Sequence, residues 1–216
     1  SLLDLLFNTP EIIYNKNWRY YNEYSCNTDW LSYIAKDAFT SDNNFSMSGG
    51  GDKATYRFSL GYLNEGGTTI GTNLQRLTST LNIQYVFSTK LKVNAEFSYT
   101  DSKKKAPWSD NVRAEALRKM PNKSPYWIDD ETGTVTDRYF TRQNSEEFQG
   151  AFTGSKNFHP IVMAKESYNN SYQQEEKMNF NLDYEILPGF VYNGYVSMKL
   201  KTIKNRQFLP QEATGV

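Results

Sequence analysis

The sequence predicts an all-β fold, an antiparallel transmembrane β-barrel segment of about six long strands with a long extracellular loop insert. Three observations predict it. Apolar residues alternate with polar ones for about ten residues at a time, whereas strands of soluble proteins average about five or six. Nothing in the sequence is expected to cover the apolar face, because one short predicted helix cannot hide six long strands. Aromatic residues lie toward the strand ends, as in the aromatic girdles of outer-membrane barrels.

The composition excludes several classes of function. Lysine plus arginine and aspartate plus glutamate are both 24, so the net charge is zero, and we expect no nucleic-acid partner. Cys26 is the single cysteine and His159 the single histidine, which excludes an internal disulfide and any cysteine-rich or multi-histidine metal site. We therefore predict no metal, no cofactor and no catalytic residues. A mean hydropathy of −0.71 with 15 % aromatic residues suits sheets that have one apolar and one hydrated face.

The clearest hairpin lies within residues 78–100, where apolar residues occupy odd positions on both sides of a short link. A three-residue loop at 88–90 would place Phe87 opposite Leu91 and Tyr85 opposite Val93. Both strands then agree on which face is apolar, so the register is internally consistent.

The same alternation recurs at residues 177–201, around the turn Leu187-Pro188-Gly189, and at residues 54–64. A shorter strand containing Phe45 and Met47 precedes the latter. The predicted organisation is an extracellular loop region at 1–43 preceding a barrel strand, four barrel strands at 44–100, a long extracellular loop with a short helix and a hairpin at 101–171, two barrel strands at 172–206, and the start of the next loop at 207–216.

The connections alternate between short and long, which is typical of outer-membrane barrels with short periplasmic turns and long extracellular loops. Ten tilted strand residues are enough to cross a bilayer. The sequence has no run of 18 apolar residues, so we expect no transmembrane helix. Six strands cannot close a barrel of useful bore, so we interpret both chain ends as cuts through a longer protein. The alternative is an ordinary antiparallel sheet with one face on a soluble core.

Several segments resemble SusC-like (SusC/RagA) TonB-dependent outer-membrane transporters. The resemblance rests on the order and spacing of Asn27-Thr28-Asp29-Trp30, "YRFSLGYLNEGG", "IGTN" and "STKLKVNAEFSYT". Further along, "ALRKMPNKSPYWIDDETG" resembles a long extracellular loop of that family. Where the family usually has Asn-Pro-Ile, this chain has His159-Pro160-Ile161.

The resemblance implies a multi-pass β-barrel in the bacterial outer membrane that imports glycan oligosaccharides or peptides. This chain would contribute barrel wall and a substrate-facing extracellular loop, in contact with outer-membrane lipid. The implied partners are a SusD-like surface lipoprotein and the TonB complex, reached through a plug and a TonB box that this chain does not contain. An alternative is a cell-surface structural or adhesive β-sheet protein without transport activity; an enzyme is not expected.

The candidate substrate-binding residues all lie in the long insert. They combine aromatic faces, which stack on sugars, with carboxylates, which bind hydroxyl groups: Trp108, Tyr126, Trp127, Asp129 and Asp130. Packing of the loop on itself or on the lipoprotein is the alternative interpretation. Neither a calcium site nor a glycosidase pair is expected from the adjacent aspartates, because the spacing fits neither.

Other residues have simpler expected roles. We expect Trp30 to anchor a loop by packing and His159 to be structural. The run Lys103-Lys104-Lys105 is predicted to be a solvated loop base, with contact to lipopolysaccharide phosphates as the alternative. Charged side chains of the strands are expected to line a hydrated lumen without necessarily binding substrate: Arg57, Glu96, Lys177, Asp183 and Lys199.

Overall fold

The computed structural model describes residues 15–18, 20–108, 111–141 and 158–214. Its long strands are β1 (Thr40–Gly50), β2 (Ala54–Gly66), β3 (Asn73–Ser88), β4 (Leu91–Lys105), β7 (Tyr168–Leu187) and β8 (Phe190–Phe208). A small hairpin is formed by β5 (Tyr126–Ile128) and β6 (Val135–Tyr139). The helices are α1 (Tyr21–Tyr24), α2 (Val112–Arg118), α3 (Pro160–Lys165) and α4 (Gln211–Thr214). Within these ranges, no helix is long and apolar enough to cross a membrane.

The six long strands form one antiparallel sheet in the order β1-β2-β3-β4-β7-β8. Each strand therefore pairs with its neighbour along the chain, and the whole stretch between β4 and β7 is an insertion at one end of the sheet. The sheet is open, with β1 and β8 at its two edges. The predicted all-β, antiparallel fold is confirmed.

All six strands place most of their apolar residues on the same side of the sheet. The register aligns Tyr56, Ile83, Ala95, Phe180 and Val196 in one row across five strands. Residues directly opposite each other in an antiparallel pair project to the same face. We call this side the apolar face and the opposite side the polar face. The apolar band is the part of the apolar face that lies between the row of Tyr184 and Tyr192 and the row of Tyr99 and Leu200.

The apolar face is exposed. On β8, Val196, Met198 and Leu200 are 58 %, 55 % and 62 % exposed, and Phe45 on β1 is 58 % exposed. A soluble sheet of this size would cover such a face with a second layer, because burial of apolar side chains stabilises the fold by about 25 cal/mol per Å². The buried core of the described residues lies elsewhere, in the loops.

The structure corrects the predicted register next to the turn of the first hairpin. Tyr85 pairs with Val93 as predicted, but Leu91 pairs with Ser88, and Phe87 is the extra residue of a β-bulge. The prediction that Phe87 lies opposite Leu91 was therefore wrong. The chain turns through two residues, 89–90, and the bulge takes up the residue that the three-residue loop would have used.

The strands also extend beyond their apolar alternation. β4 continues to Lys105, so Lys103, Lys104 and Lys105 belong to a strand and alternate between its two faces; the predicted loop base was wrong. β7 has 20 residues, about 65 Å of extended chain. Backbone ladder hydrogen bonds extend a strand without apolar side chains, so alternation marks the apolar band and not the strand ends.

The connections divide between the two ends of the sheet. Short turns at 51–53, 89–90 and 188–189 lie at one end. The other segments lie at the opposite end of the sheet: 15–39, 67–72, 106–167 and 209–214. The described parts of these segments form what we call the loop cap. Ile70 and Lys36 donate backbone hydrogen bonds to Ile34 and Thr68, so segments distant in sequence are joined there.

Candidate functional site: the loop cap and the polar face

The loop cap has its own hydrophobic core. Its buried residues come from segments far apart in the chain: Trp30, Ile34, Val112, Ala116, Ile161, Val162, Met163, Ala164 and Ala213. Helix α3 contributes the largest share, and Ile161 on it is 0 % exposed. Since these contacts join α2, α3 and α4 to the segment before β1, the cap is a packed unit and not a set of independent loops.

Trp30 joins three parts of the cap. Its ring is 3 % exposed, its Nε1–H donates a hydrogen bond to the Met120 carbonyl at 3.0 Å, and it meets the edge of His159 at 5.5 Å. The anchoring role predicted for Trp30 is confirmed by this packing.

His159 begins helix α3. Its Nδ1 accepts the Val162 N–H at 3.4 Å, and its Nε2 lies 3.0 Å from the Pro125 carbonyl, which assigns the proton to Nε2. Burial, followed by the charge of Lys119, lowers the pKa of His159 to about 3. The imidazole is therefore neutral and caps a helix at the position where the resembled family has asparagine. Its predicted structural role is confirmed.

We expect the cap to lose stability as the pH falls. The unfolded chain binds a proton at His159 near pH 6.5, whereas the folded cap resists protonation until about pH 3. Stability therefore falls by about 1.4 kcal/mol per pH unit between these values. Hydrogen exchange of residues 158–167 at pH 7.5 and pH 4.5, expressed as protection factors relative to the intrinsic exchange rate at each pH, measures it. His159→Asn retains a helix-capping side chain and is expected to reduce this pH dependence; an unchanged pH dependence would contradict the assignment to His159.

The β5–β6 hairpin presents different aromatic residues on its two sides. On one side, Tyr126 stacks on Tyr139 at 5.4 Å, with Tyr33 6.4 Å from Tyr126. On the other side, Trp127 packs edge-on against Phe140 at 4.8 Å. Alternation along a strand separates the neighbours Tyr126 and Trp127. Tyr33 is 41 % exposed, so the first side forms an accessible aromatic surface.

The two candidate aspartates accept hydrogen bonds from other residues of the loop cap. The Asp129 carboxylate accepts the N–H groups of Glu131 and Thr132 and the Thr132 hydroxyl, and these hydrogen bonds lower its pKa. The Asp130 carboxylate accepts Asn22 Nδ2 at 3.3 Å. Asp129 thus closes the hairpin turn. In the part of the chain that the structure describes, no group of three or more His, Cys, Asp or Glu residues could hold a metal ion.

Trp108 packs against the core of the loop cap. Its backbone N–H donates to Ser167 Oγ at 2.9 Å, and its ring is 6.0 Å from Phe158. The structure thus distributes the candidate residues over four settings: the Tyr33 side for Tyr126, the Phe140 side for Trp127, the turn for the aspartates, and the α3 side for Trp108. A substrate-binding role for them stays a prediction. Tyr33 was missed, because no sequence pattern joins residue 33 to residue 126.

The polar face carries two groups of interacting side chains. Glu175 Oε1 lies 3.0 Å from Lys177 Nζ and 3.2 Å from Lys199 Nζ. Asn179 Oδ1 accepts hydrogen bonds from the Ser197 and Tyr195 hydroxyls at 2.7 and 3.2 Å. Such exposed polar contacts suit a surface in contact with water.

The chain is similar in sequence to known proteins. No protein-family model matches the chain. It is 28 % identical over 122 residues to the TonB-dependent receptor SusC of Bacteroides thetaiotaomicron, covering 56 % of this chain and 12 % of the relative. It is 22 % identical over 173 residues to the TonB-dependent receptor P39 of Formosa agariphila, covering 80 % of this chain and 15 % of the relative.

The fold matches solved structures of the RagAB peptide importer. In the open-open state the TM-score is 0.64 at 18 % identity, covering 92 % of this chain and 24 % of that chain. In the closed-closed state the TM-score is 0.61 at 20 % identity, covering 87 % and 20 %. The chain is SusC/RagA-like.

This SusC/RagA-like chain spans 12 % and 15 % of the lengths of the two curated relatives. Its open sheet has the fold of one section of a chain of the RagAB peptide importer. The resemblance seen in the sequence motifs is thereby confirmed for the fold.

Proposed function

We propose that the chain forms a section of barrel wall and the adjoining loop cap of a TonB-dependent importer in a bacterial outer membrane. The exposed apolar face carries the proposal. It runs without interruption through the row from Tyr56 to Val196, and its largest side chains face outward. In a membrane, lipid contacts such an apolar face and keeps it from water, and the polar face lines the lumen.

The open edges of the sheet support the same proposal. In lipid, an unpaired strand edge leaves backbone N–H and C=O groups without hydrogen bonds, so a membrane-spanning sheet must close. We infer that β1 and β8 pair with further strands of the same barrel. The short turns then lie on the periplasmic side, and the loop cap lies outside the cell.

We propose glycan oligosaccharides or peptides as the imported substrate. The aromatic surface of Tyr33, Tyr126 and Tyr139 suits stacking with either. The relatives' names support import: SusC and P39 are TonB-dependent receptors, and RagAB is a peptide importer.

A SusD-like lipoprotein would sit on the loop cap, and TonB would act through a plug. No enzymatic activity is proposed, since the candidate carboxylate of Asp129 is held by its own turn.

Fractionation of source cells tests this proposal, with an immunoblot using antibody against residues 104–166. We expect a heat-modifiable band several-fold larger than 25.0 kDa in the outer-membrane fraction. A soluble band near 25.0 kDa would overturn the proposal. If the band is in the outer membrane but oligosaccharide and peptide uptake do not require TonB, the cell-surface structural or adhesive alternative is favoured.

A further inference from the structure

Toward the loop cap, the side chains of the apolar face become polar and then basic. The last row of the apolar band aligns Tyr99, Glu176 and Leu200. The next row aligns Asp101, Gln174 and Thr202, and the row after it aligns Lys103, Tyr172 and Lys204. Arg206 follows two residues later on the same side of β8. Strand periodicity keeps all of these on the apolar face, so the basic side chains point outward from the sheet and not into the polar face.

These outward residues form one depression. A cavity of about 390 Å³ is lined by Asp101, Lys103, Tyr172, Gln174, Thr202, Lys204 and Arg206. Three of its lining residues are basic, and we call Lys103, Lys204 and Arg206 the basic patch. The Asp101 carboxylate lies 3.6 Å from Lys103 Nζ, and the lining of the cavity carries one carboxylate and three cations. The patch therefore carries an excess of positive charge that suits an anion.

The basic patch lies at the height of lipid head groups. From Leu200 at the edge of the apolar band to Lys204 is four residues, about 13 Å along the strand. With a strand tilt of about 40°, this becomes about 10 Å along the membrane normal. The head-group layer occupies about 5–8 Å beyond the hydrocarbon on each side of a bilayer. The long lysine side chains reach back across the remaining few ångströms, and Arg206, two residues and about 5 Å further out along the normal, reaches the outer edge of the head groups.

We propose that the basic patch binds the phosphate groups of a phosphorylated lipid in the outer leaflet, an inference that rests on the proposed function. Arginine binds phosphate through two parallel hydrogen bonds, and lysine adds point charge beside it. Tyr172 lies between Lys103 and Lys204, where its ring packs on lipid and its hydroxyl reaches the head groups. An imported substrate travels along the polar face, so the patch does not belong to the transport path.

The test compares two triple variants of the full-length protein that contains this chain. Lys103→Gln/Lys204→Gln/Arg206→Gln removes the basic patch. Arg76→Gln/Lys104→Gln/Lys201→Gln removes the same charge from the polar face of β3, β4 and β8 near the same end. Each purified protein is titrated with lipopolysaccharide, with dephosphorylated lipopolysaccharide and with inorganic phosphate alone.

We expect the patch variant to bind lipopolysaccharide about 100-fold more weakly, at about fivefold for each basic side chain. The polar-face variant should bind as the wild type does, and dephosphorylated lipopolysaccharide should bind the wild type as weakly as the intact lipid binds the patch variant. Equal binding of lipopolysaccharide by the patch variant and the wild type overturns the proposal. So does inorganic phosphate that binds the wild type as tightly as the lipid does, because the site would then be one for a free anion.

Barrel insertion is checked first by the heat-modifiable band. If the wild type is absent from the outer membrane, the proposed function fails and the lipid site with it. A correctly inserted wild type with unchanged binding in the patch variant overturns the lipid site alone. Should the patch variant fail to assemble, Lys204→Gln/Arg206→Gln, on the exposed strand β8, is titrated in its place, with an expected loss of about 25-fold.

Discussion

Lysine in place of Phe180 is expected to prevent stable insertion of the barrel. Phe180 lies in the middle row of the apolar band, opposite Ala95 on one side and Val196 on the other, and its ring meets Phe97 edge-on at 5.6 Å. A lysine at the bilayer midplane of a barrel costs about 2–4 kcal/mol, and the lost aromatic contact adds about 0.5–1.5 kcal/mol. The measurement is the amount of heat-modifiable protein in the outer-membrane fraction.

Matched variants separate charge from position. Asn181→Lys places the same charge one residue further along β7, on the polar face, and should insert as the wild type does. Phe180→Leu removes the ring without adding charge and should reduce insertion only slightly. Ile83→Lys, in the same row on β3, repeats the experiment with Asn82→Lys as its partner. Normal insertion of both apolar-face lysine variants would show that lipid does not cover this face.

The sheet could be predicted from the sequence because the alternation that specifies it lies within each strand. Alternation fixes the face of every residue within a strand, and two strands that share an apolar face can pair in few registers. The pair Tyr85 and Val93 followed correctly from this rule. Phe87 did not, since a three-residue loop and a two-residue turn with a bulge consume the same number of residues. Local backbone geometry, which side-chain polarity does not encode, decides between them.

Some elements of the loop cap could be predicted from the sequence, but their assembly could not. One short helix and one hairpin were predicted within residues 101–171, and the structure has α2 at Val112–Arg118 and the hairpin β5–β6 there. The contact between Trp30 and Met120 joins residues 90 apart, and no periodic pattern connects them. The placement of Tyr33 beside Tyr126 depends on that packing, so it could not be inferred from either segment alone.

Alanine in place of Trp30 is expected to unfold the loop cap locally while the strands stay paired. The indole is nearly fully buried, packs in the cap core and donates a hydrogen bond to the Met120 carbonyl. Replacement of a buried tryptophan by alanine costs about 3–5 kcal/mol, through lost burial and the cavity that remains. The apolar band is expected to contribute nothing to this loss, because Trp30 has its packing partners in the cap core.

Hydrogen exchange followed by mass spectrometry measures the effect region by region. In Trp30→Ala, exchange should accelerate across residues 111–141 and 158–167 and stay unchanged in β7 and β8. Trp30→Phe keeps most of the buried ring and loses the hydrogen bond, worth about 0.5–1.5 kcal/mol, so its exchange should be intermediate. Unchanged exchange in the cap, or equal acceleration in the strands, would contradict a separate cap core.

The same variant links the packing of the cap to transport. Trp30 holds the segment before β1, which carries Tyr33, against the end of α2. Loss of this anchor should separate Tyr33 from the stacked pair of Tyr126 and Tyr139. If that aromatic surface contacts substrate, Trp30→Ala reduces uptake in cells whose outer membranes hold normal amounts of the heat-modifiable protein. Normal uptake with a demonstrably unfolded cap would assign substrate recognition to other parts of the barrel.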